Sequence, residues 1–279
     1  YYEVLLSENP DLSDAATYCT AAEVFRPEDL KVASTYYWQV KAFYDDQIVL
    51  SDVFTFRTAE TPRTVSIEGV FNTRDIGGLP TADGSRIRQN LVFRGAQLDS
   101  STRVGKQKML NQLGIRTEID LRKKGEASGG TGSLLGKSVN YVHIEAPSYV
   151  SIQTSANKAL IAEEIRVFAD PENYPVYFHC VAGRDRTGTL AFLLESLLGV
   201  PEELCFRDYE MTLLCSYSNS DTASVAKLVP NSFTPLVQYI KSYGAGKSLS
   251  LRECTELYLK DCGITDAEIA SIRSILLEK

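Results

Sequence analysis

Residues 174–199, YPVYFHCVAGRDRTGTLAFLLESLLG, constrain the fold of this chain more than any other stretch. YPVYFHC is a short, β-prone apolar run. TGTLAFLLESLL carries Leu190, Leu193, Leu194, Leu197 and Leu198 as an apolar helical stripe, and Gly199 and Pro201 stop it. A strand running directly into an apolar-faced helix is half of a βαβ unit, which implies parallel strands. The loop between them, residues 180–186, lies at the carboxyl end of the strand and the amino end of the helix. Gly183 and Gly188 permit the tight backbone such a loop needs.

The surrounding sequence repeats this alternation. LVFRG and IRTEIDLR read as strands, the second with Ile115, Thr117, Ile119 and Leu121 on one face, and NYVHIE reads as another. Residues 157–169 form a helix candidate with Ile161, Ile165 and Phe168 on one face. TDAEIASIRSILLEK opens with a capping box from Thr265 to Glu268. The expected class is α/β, a central, mostly parallel sheet flanked by helices over residues 67–279. Residues 1–60 read differently. YEVLLS, TYYWQVKAFY and VFTFRT alternate with period two, with Tyr36, Trp38, Val40, Ala42 and Tyr44 on one face, so an all-β unit is expected. Residues 61–66 read as the linker.

Composition narrows the function classes. A net charge of −7 disfavours a general nucleic-acid or anionic-membrane surface, so any anion site must be local. No apolar run approaches the ~20 residues that span a bilayer. The cysteines Cys19, Cys180, Cys205, Cys215, Cys254 and Cys262 are scattered, without a CxxC pair. Two histidines and no clustered cysteines argue against a structural zinc site, and no metal or cofactor is expected. The chain opens on Tyr1, which suggests a fragment or mature form.

The loop concentrates chemistry. A helix N-terminus attracts anions through its unpaired N–H groups and dipole, and several backbone N–H groups can wrap one tetrahedral oxyanion. That field and the neighbouring cations favour a thiolate at Cys180. Arg186 can grip two phosphate oxygens with its planar fork. A thiolate beneath a bound phosphate implies in-line attack and a phosphocysteine intermediate. The Thr187 hydroxyl can then donate to the sulfur as it leaves. An inert cysteine ending a core strand is the plainer alternative for Cys180, but it leaves the neighbouring glycine, arginines and threonine unexplained.

HCVAGRDRTG resembles the His-Cys, five residues, Arg-Thr signature of the Cys-dependent tyrosine and dual-specificity phosphatases. FNTRDIGGLPTADGSRIRQNLVFRGAQLDS, LGIRTEIDLR and RDYEMT are similar to segments of a bacterial branch of that family, so the resemblance runs from about residue 66 to 279. It implies a metal-independent phosphomonoester hydrolase with Cys180 as nucleophile, Arg186 as phosphate clamp and Thr187 as hydroxyl aid. The backbone of Val181, Ala182, Gly183, Arg184, Asp185 and Arg186 would form the cradle, and His179 would orient the loop. Phosphorylated proteins are the expected substrates; phosphoinositides or inositol phosphates are the alternative, as is a phospholigand-binding module without turnover. The N-terminal strands resemble the later strands of a fibronectin type III domain, a sandwich whose first strands would be missing here. Such modules suggest an exported bacterial protein and a docking role for this part.

Many relatives take their general acid from an aspartate after the strand that precedes the phosphate loop. The matching YVHIEAPSYVS contains only Glu145, which leaves Asp185 as the better candidate. A carboxylate beside a bound phosphate dianion holds its proton more tightly, as an acid for a departing oxyanion should. A structural anchor is the competing role. A basic residue at position 184 implies, by the same resemblance, contact with a second phosphate. Residues 243–248, YGAGKS, lack the first glycine of a Walker loop and read as an inter-helix turn. Residues 123–138, KKGEASGGTGSLLGKS, read as a tolerated surface loop, with a lid at the phosphate site as the alternative.

Overall fold

The period-two run at 35–44 forms the longest strand of the N-terminal part. The protein is described from a computed structural model covering residues 1–45, 47–214 and 227–279. The chain divides into two units, Tyr1–Arg63 and Thr64–Lys279.

In the first unit, β1 (Tyr2–Ser7), β2 (Ala16–Thr20), β3 (Thr35–Tyr44), β4 (Gln47–Leu50) and β5 (Phe54–Arg57) build one antiparallel sheet. β3 is its centre: β1 pairs one edge, while β4 and β5 share the other. The expected sandwich has two facing layers, but the described strands supply a single layer. Val4, Leu6, Trp38, Val40, Phe54 and Phe56 therefore line an open apolar groove.

The second unit opens at Thr64, the last residue of the short strand β6 (Arg63–Thr64), and Val65 N–H donates to Thr73 O at 3.2 Å. Then follow β7 (Arg74–Asp75), β8 (Arg86–Ile87), β9 (Val92–Gly95), α1 (Arg103–Asn111), β10 (Thr117–Asp120), β11 (Asn140–His143), α2 (Ser155–Val167) and β12 (Val176–His179). The remaining elements are α3 (Asp185–Leu198), α4 (Glu202–Glu210), α5 (Thr234–Ser242), α6 (Leu251–Asp261), α7 (Asp266–Leu276) and β13 (Leu277–Glu278). The main sheet has the order β11-β10-β12-β9-β7-β6. Its first four strands are parallel, and β7 pairs antiparallel to β9.

Alternate residues of the central strands feed two cores, one on each face. Val92, Ile119 and Phe178 join the side of α2, α3 and the C-terminal helices, while Phe93 and Tyr177 join the side of α1. Both faces being covered, the central strands β9, β10 and β12 are buried throughout, as in other parallel sheets. α3 differs from its sequence reading: it is buried all round from Thr187 to Leu198, not along one stripe. It ends at Gly199, whose φ of 91° lies in the left-handed region. The capping box at Thr265 starts α7, and YGAGKS turns between α5 and α6. Cys205 and Cys254 are buried free thiols; Cys215 lies outside the described residues. No helix among the described residues is long and apolar enough to cross a membrane.

Candidate active site

In the parallel sheet Gly95, Asp120, His143 and His179 stand in register at the strand ends. The loops that follow them share the carboxyl edge of the sheet, where α/β folds place ligands. The loop after β12 carries Cys180, 1% exposed, and enters α3 at Asp185.

The loop sorts its backbone groups by direction. Cys180 O contacts His179 Nδ1 at 3.2 Å. Val181 O accepts from Gln97 N–H at 3.1 Å. Asn72 Nδ2 donates to Ala182 O at 3.1 Å and to Gly183 O at 3.0 Å. Arg94 adds a second bond to Gly183 O at 3.2 Å, and Arg184 O takes the Gly188 N–H at 2.8 Å. Every carbonyl from Cys180 to Arg184 is thus engaged by a group outside the 181–186 loop. Among the described residues, by contrast, no N–H from Val181 to Arg186 donates a hydrogen bond. N–H groups left without acceptors in a concave loop form a site for an anion. Gly183 is indispensable to that curvature. Its φ is +65°, and a Cβ there would stand 2.4 Å from Gly95 O.

Arg186 donates from Nη1 to Glu126 Oε2 at 2.5 Å and to Leu121 O at 3.3 Å, and from Nη2 to Glu126 Oε1 at 3.3 Å. Burial opposes its charge, but Glu126 outweighs burial and keeps the guanidinium firmly protonated. The Arg186 bond likewise holds Glu126 below the usual carboxylate range. Residues 123–138 are therefore no mere surface excursion. Ser128 N–H bonds Asp99 at 2.9 Å, Ser133 Oγ bonds Glu118 Oε2 at 2.5 Å, and Leu135 is buried in a core. The glycines concealed these anchors by making the segment look unattached.

Asp185 is held on two sides. Tyr149 Oη donates to its Oδ1 at 2.5 Å, and Arg184 approaches both oxygens at 3.1–3.2 Å. Tyr149 Oη also meets Tyr209 Oη at 2.6 Å. Burial and the Asp185 charge push the Tyr149 phenol far above its usual range, and burial pushes Tyr209 up to about 12. Tyr149 comes from the loop after β11, where the sequence offered only Glu145. Glu145 is exposed and accepts from Lys124 N–H at 3.4 Å, away from these contacts.

His179 is fully buried, with Nε2 3.0 Å from Glu118 Oε1. His143 contacts Arg122 O at 2.8 Å and stays outside this set. The Thr187 hydroxyl is buried and makes no hydrogen bond among the described residues, so the expected bond to the Cys180 sulfur is not formed in this structure. Behind the loop, the buried Asp208 binds Arg74 Nε at 2.6 Å and also Arg94. Burial would raise the Asp208 carboxyl; the two guanidinium groups overcome it and hold it below the usual carboxylate range. No cluster of three or more His, Cys, Asp or Glu side chains that could hold a metal occurs among the described residues.

The structure brings together the sequence candidates Cys180 to Thr187 and His179. It adds residues that carried no motif signal of their own: Asn72, Arg94, Gln97, Glu118, Glu126 and Tyr149. Asn72, Arg94 and Asp208 do lie in FNTRDIGG, LVFRG and RDYEMT, whose resemblance was visible without their purpose.

The sequence pattern of the tyrosine phosphatase family matches residues 65–278. The Cupriavidus necator protein named "Putative tyrosine-protein phosphatase" is 26% identical over 220 residues, 66% of this chain and 80% of that protein. Among solved structures, the catalytic core of the yeast (S. cerevisiae) PP-IP phosphatase SIW14 is 14% identical over 54% of this chain and 86% of that one, with a TM-score of 0.36. Pseudomonas aeruginosa TpbA is 16% identical over 53% of this chain and 91% of that one, with a TM-score of 0.32.

Proposed function

The chain belongs to the tyrosine phosphatase family and is a phosphatase of the protein-tyrosine-phosphatase type, and from that premise we propose that Cys180 is its nucleophile in a metal-independent, two-step hydrolysis of phosphomonoesters on proteins. The sorting of the loop's backbone carries this reading: carbonyls turned away and bonded, N–H groups from Val181 to Arg186 unspent around the Cys180 thiol. Three equatorial phosphate oxygens need such donors, and their charge is stabilised most in the transition state.

In the first step the Cys180 sulfur attacks phosphorus in line, an S–P bond forms and the P–O bond to the leaving group breaks. Asp185 gives its proton to the departing oxygen. In the second step water attacks phosphorus, Asp185 takes the water proton and the thiolate departs. Thr187, with an unengaged buried hydroxyl, donates to the sulfur as it leaves. Arg186, positioned by Glu126 through its Nη atoms, offers Nε and a remaining Nη2 hydrogen to the phosphate. His179, fixed by Glu118, orients the loop through the Cys180 carbonyl.

A second reading concerns the substrate. Arg184 ion-pairs with Asp185 at 3.1 Å and remains partly exposed. A substrate with a second anionic group, such as a phosphoinositide, would draw that guanidinium away from Asp185. Multiply phosphorylated or acidic substrates are then preferred, and Arg184→Ala removes the preference.

Hydrolysis of an aryl phosphate in the presence of a metal chelator tests the mechanism. Turnover that survives chelation and vanishes in Cys180→Ser is the expected result. Activity retained in Cys180→Ser, or phosphate binding without any turnover in the wild type, overturns it.

A further inference from the structure

Building on the reading of the loop as a phosphate cradle, we infer that Asn72 is a positioning residue whose amide, together with Arg94, holds the Ala182 and Gly183 carbonyls outward so that the loop's N–H groups converge on the phosphate.

Both ends of the Asn72 amide are engaged. Its Nδ2 reaches Ala182 O at 3.1 Å, Gly183 O at 3.0 Å and Thr212 Oγ1 at 3.3 Å, while its Oδ1 accepts from Arg74 Nη1 at 2.6 Å. Two carbonyls on one side require a donor and a guanidinium on the other requires an acceptor, so the amide has one workable orientation. Its backbone has φ of 57°, a left-handed conformation that asparagine tolerates better than most residues. The flanking chain is locked as well, since Phe71 O accepts from Ala96 N–H at 2.9 Å and Thr73 O from Val65 N–H at 3.2 Å.

The rest of the apparatus is one step further out. Arg74 and Arg94 are 2% and 0% exposed, and both bind Asp208. Asp208 thus fixes both the guanidinium that orients Asn72 and the one that touches Gly183. Three separated stretches, around residues 72–74, 94 and 208–212, converge on two carbonyls. Peptide groups are rigid, so turning a carbonyl outward aims the next residue's N–H inward. For Ala182 and Gly183 these are the N–H groups of Gly183 and Arg184. Without the anchors, either peptide could flip and present a negative carbonyl to the phosphate instead of a donor.

Asn72→Asp separates this role from a structural one. The aspartate keeps the shape, tolerates the same backbone and strengthens the pairing with Arg74, but sets an acceptor against two carbonyls. A purely structural Asn72 predicts a lower melting temperature with kcat per folded molecule unchanged. Positioning predicts a kcat on an aryl phosphate lowered roughly ten- to a hundredfold and a comparable loss of orthovanadate affinity. A variant with kcat and vanadate affinity both within about twofold of the wild type, whatever its melting temperature, overturns the inference. Should Asn72→Asp fail to fold, Asn72→Gly retains the left-handed backbone while deleting the amide, and the same outcomes apply. An inactive wild type, or an active Cys180→Ser, would instead sink the cradle reading itself.

Discussion

At Asp185 one carboxylate serves two neighbours, the Tyr149 phenol at 2.5 Å and the Arg184 guanidinium at 3.1 Å. The proposed acid must carry a proton when the leaving group departs, and a leaving group of high pKa needs that proton most. Asp185→Asn should therefore lower kcat strongly for alkyl phosphates, whose leaving groups need a proton, and weakly for activated aryl phosphates. The slope of log kcat against leaving-group pKa measures this, and equal losses on both classes would make Asp185 an anchor only. At this scale the sequence was legible where one loop holds everything: Cys180, Gly183 and Arg186 are local. Tyr149 and Glu126 were not, because nothing in a phenol 36 residues upstream or a glutamate 60 residues upstream announces its partner.

Among the elements, strands and helices were read well where periodicity is strong, as in β3, α2 and α7. Orientation was less legible where burial is complete, because a helix such as α3, packed on every side, leaves little polar face to mark it. Complete burial also strands acids. Glu164 on α2 is fully buried, and burial, with the nearby Glu163 charge, raises its carboxyl well above the ordinary 4.5. A raised folded value means the folded state holds the proton. The native state bears no penalty below pH 4.5, and stability falls as pH rises from there towards the folded value. Glu164→Gln should thus gain roughly 1–3 kcal/mol at pH 7–8 and nothing at pH 4. Thermal melts across that range check it, and a gain that does not depend on pH would point to packing instead.

Across the whole molecule, the residues of the candidate site all belong to the second unit, which has its own two cores. Residues 60–279 expressed alone should fold and hydrolyse an aryl phosphate with kcat within about twofold of the full chain. Collapse of activity alongside an intact melting transition would assign the N-terminal sheet a part in catalysis. The sequence by itself determined the α/β class, the strand–loop–helix unit and the phosphate chemistry, since each is written within a few dozen consecutive residues by periodicity, glycine placement and charge. The tertiary structure alone decided what anchors the loop. Asn72 and Arg94 lie up to 111 residues from the carbonyls they hold, and Asp208 lies 114 residues from Arg94 and 134 from Arg74. Such bonds depend on where the sheet edge brings the chain together, and no local pattern encodes that.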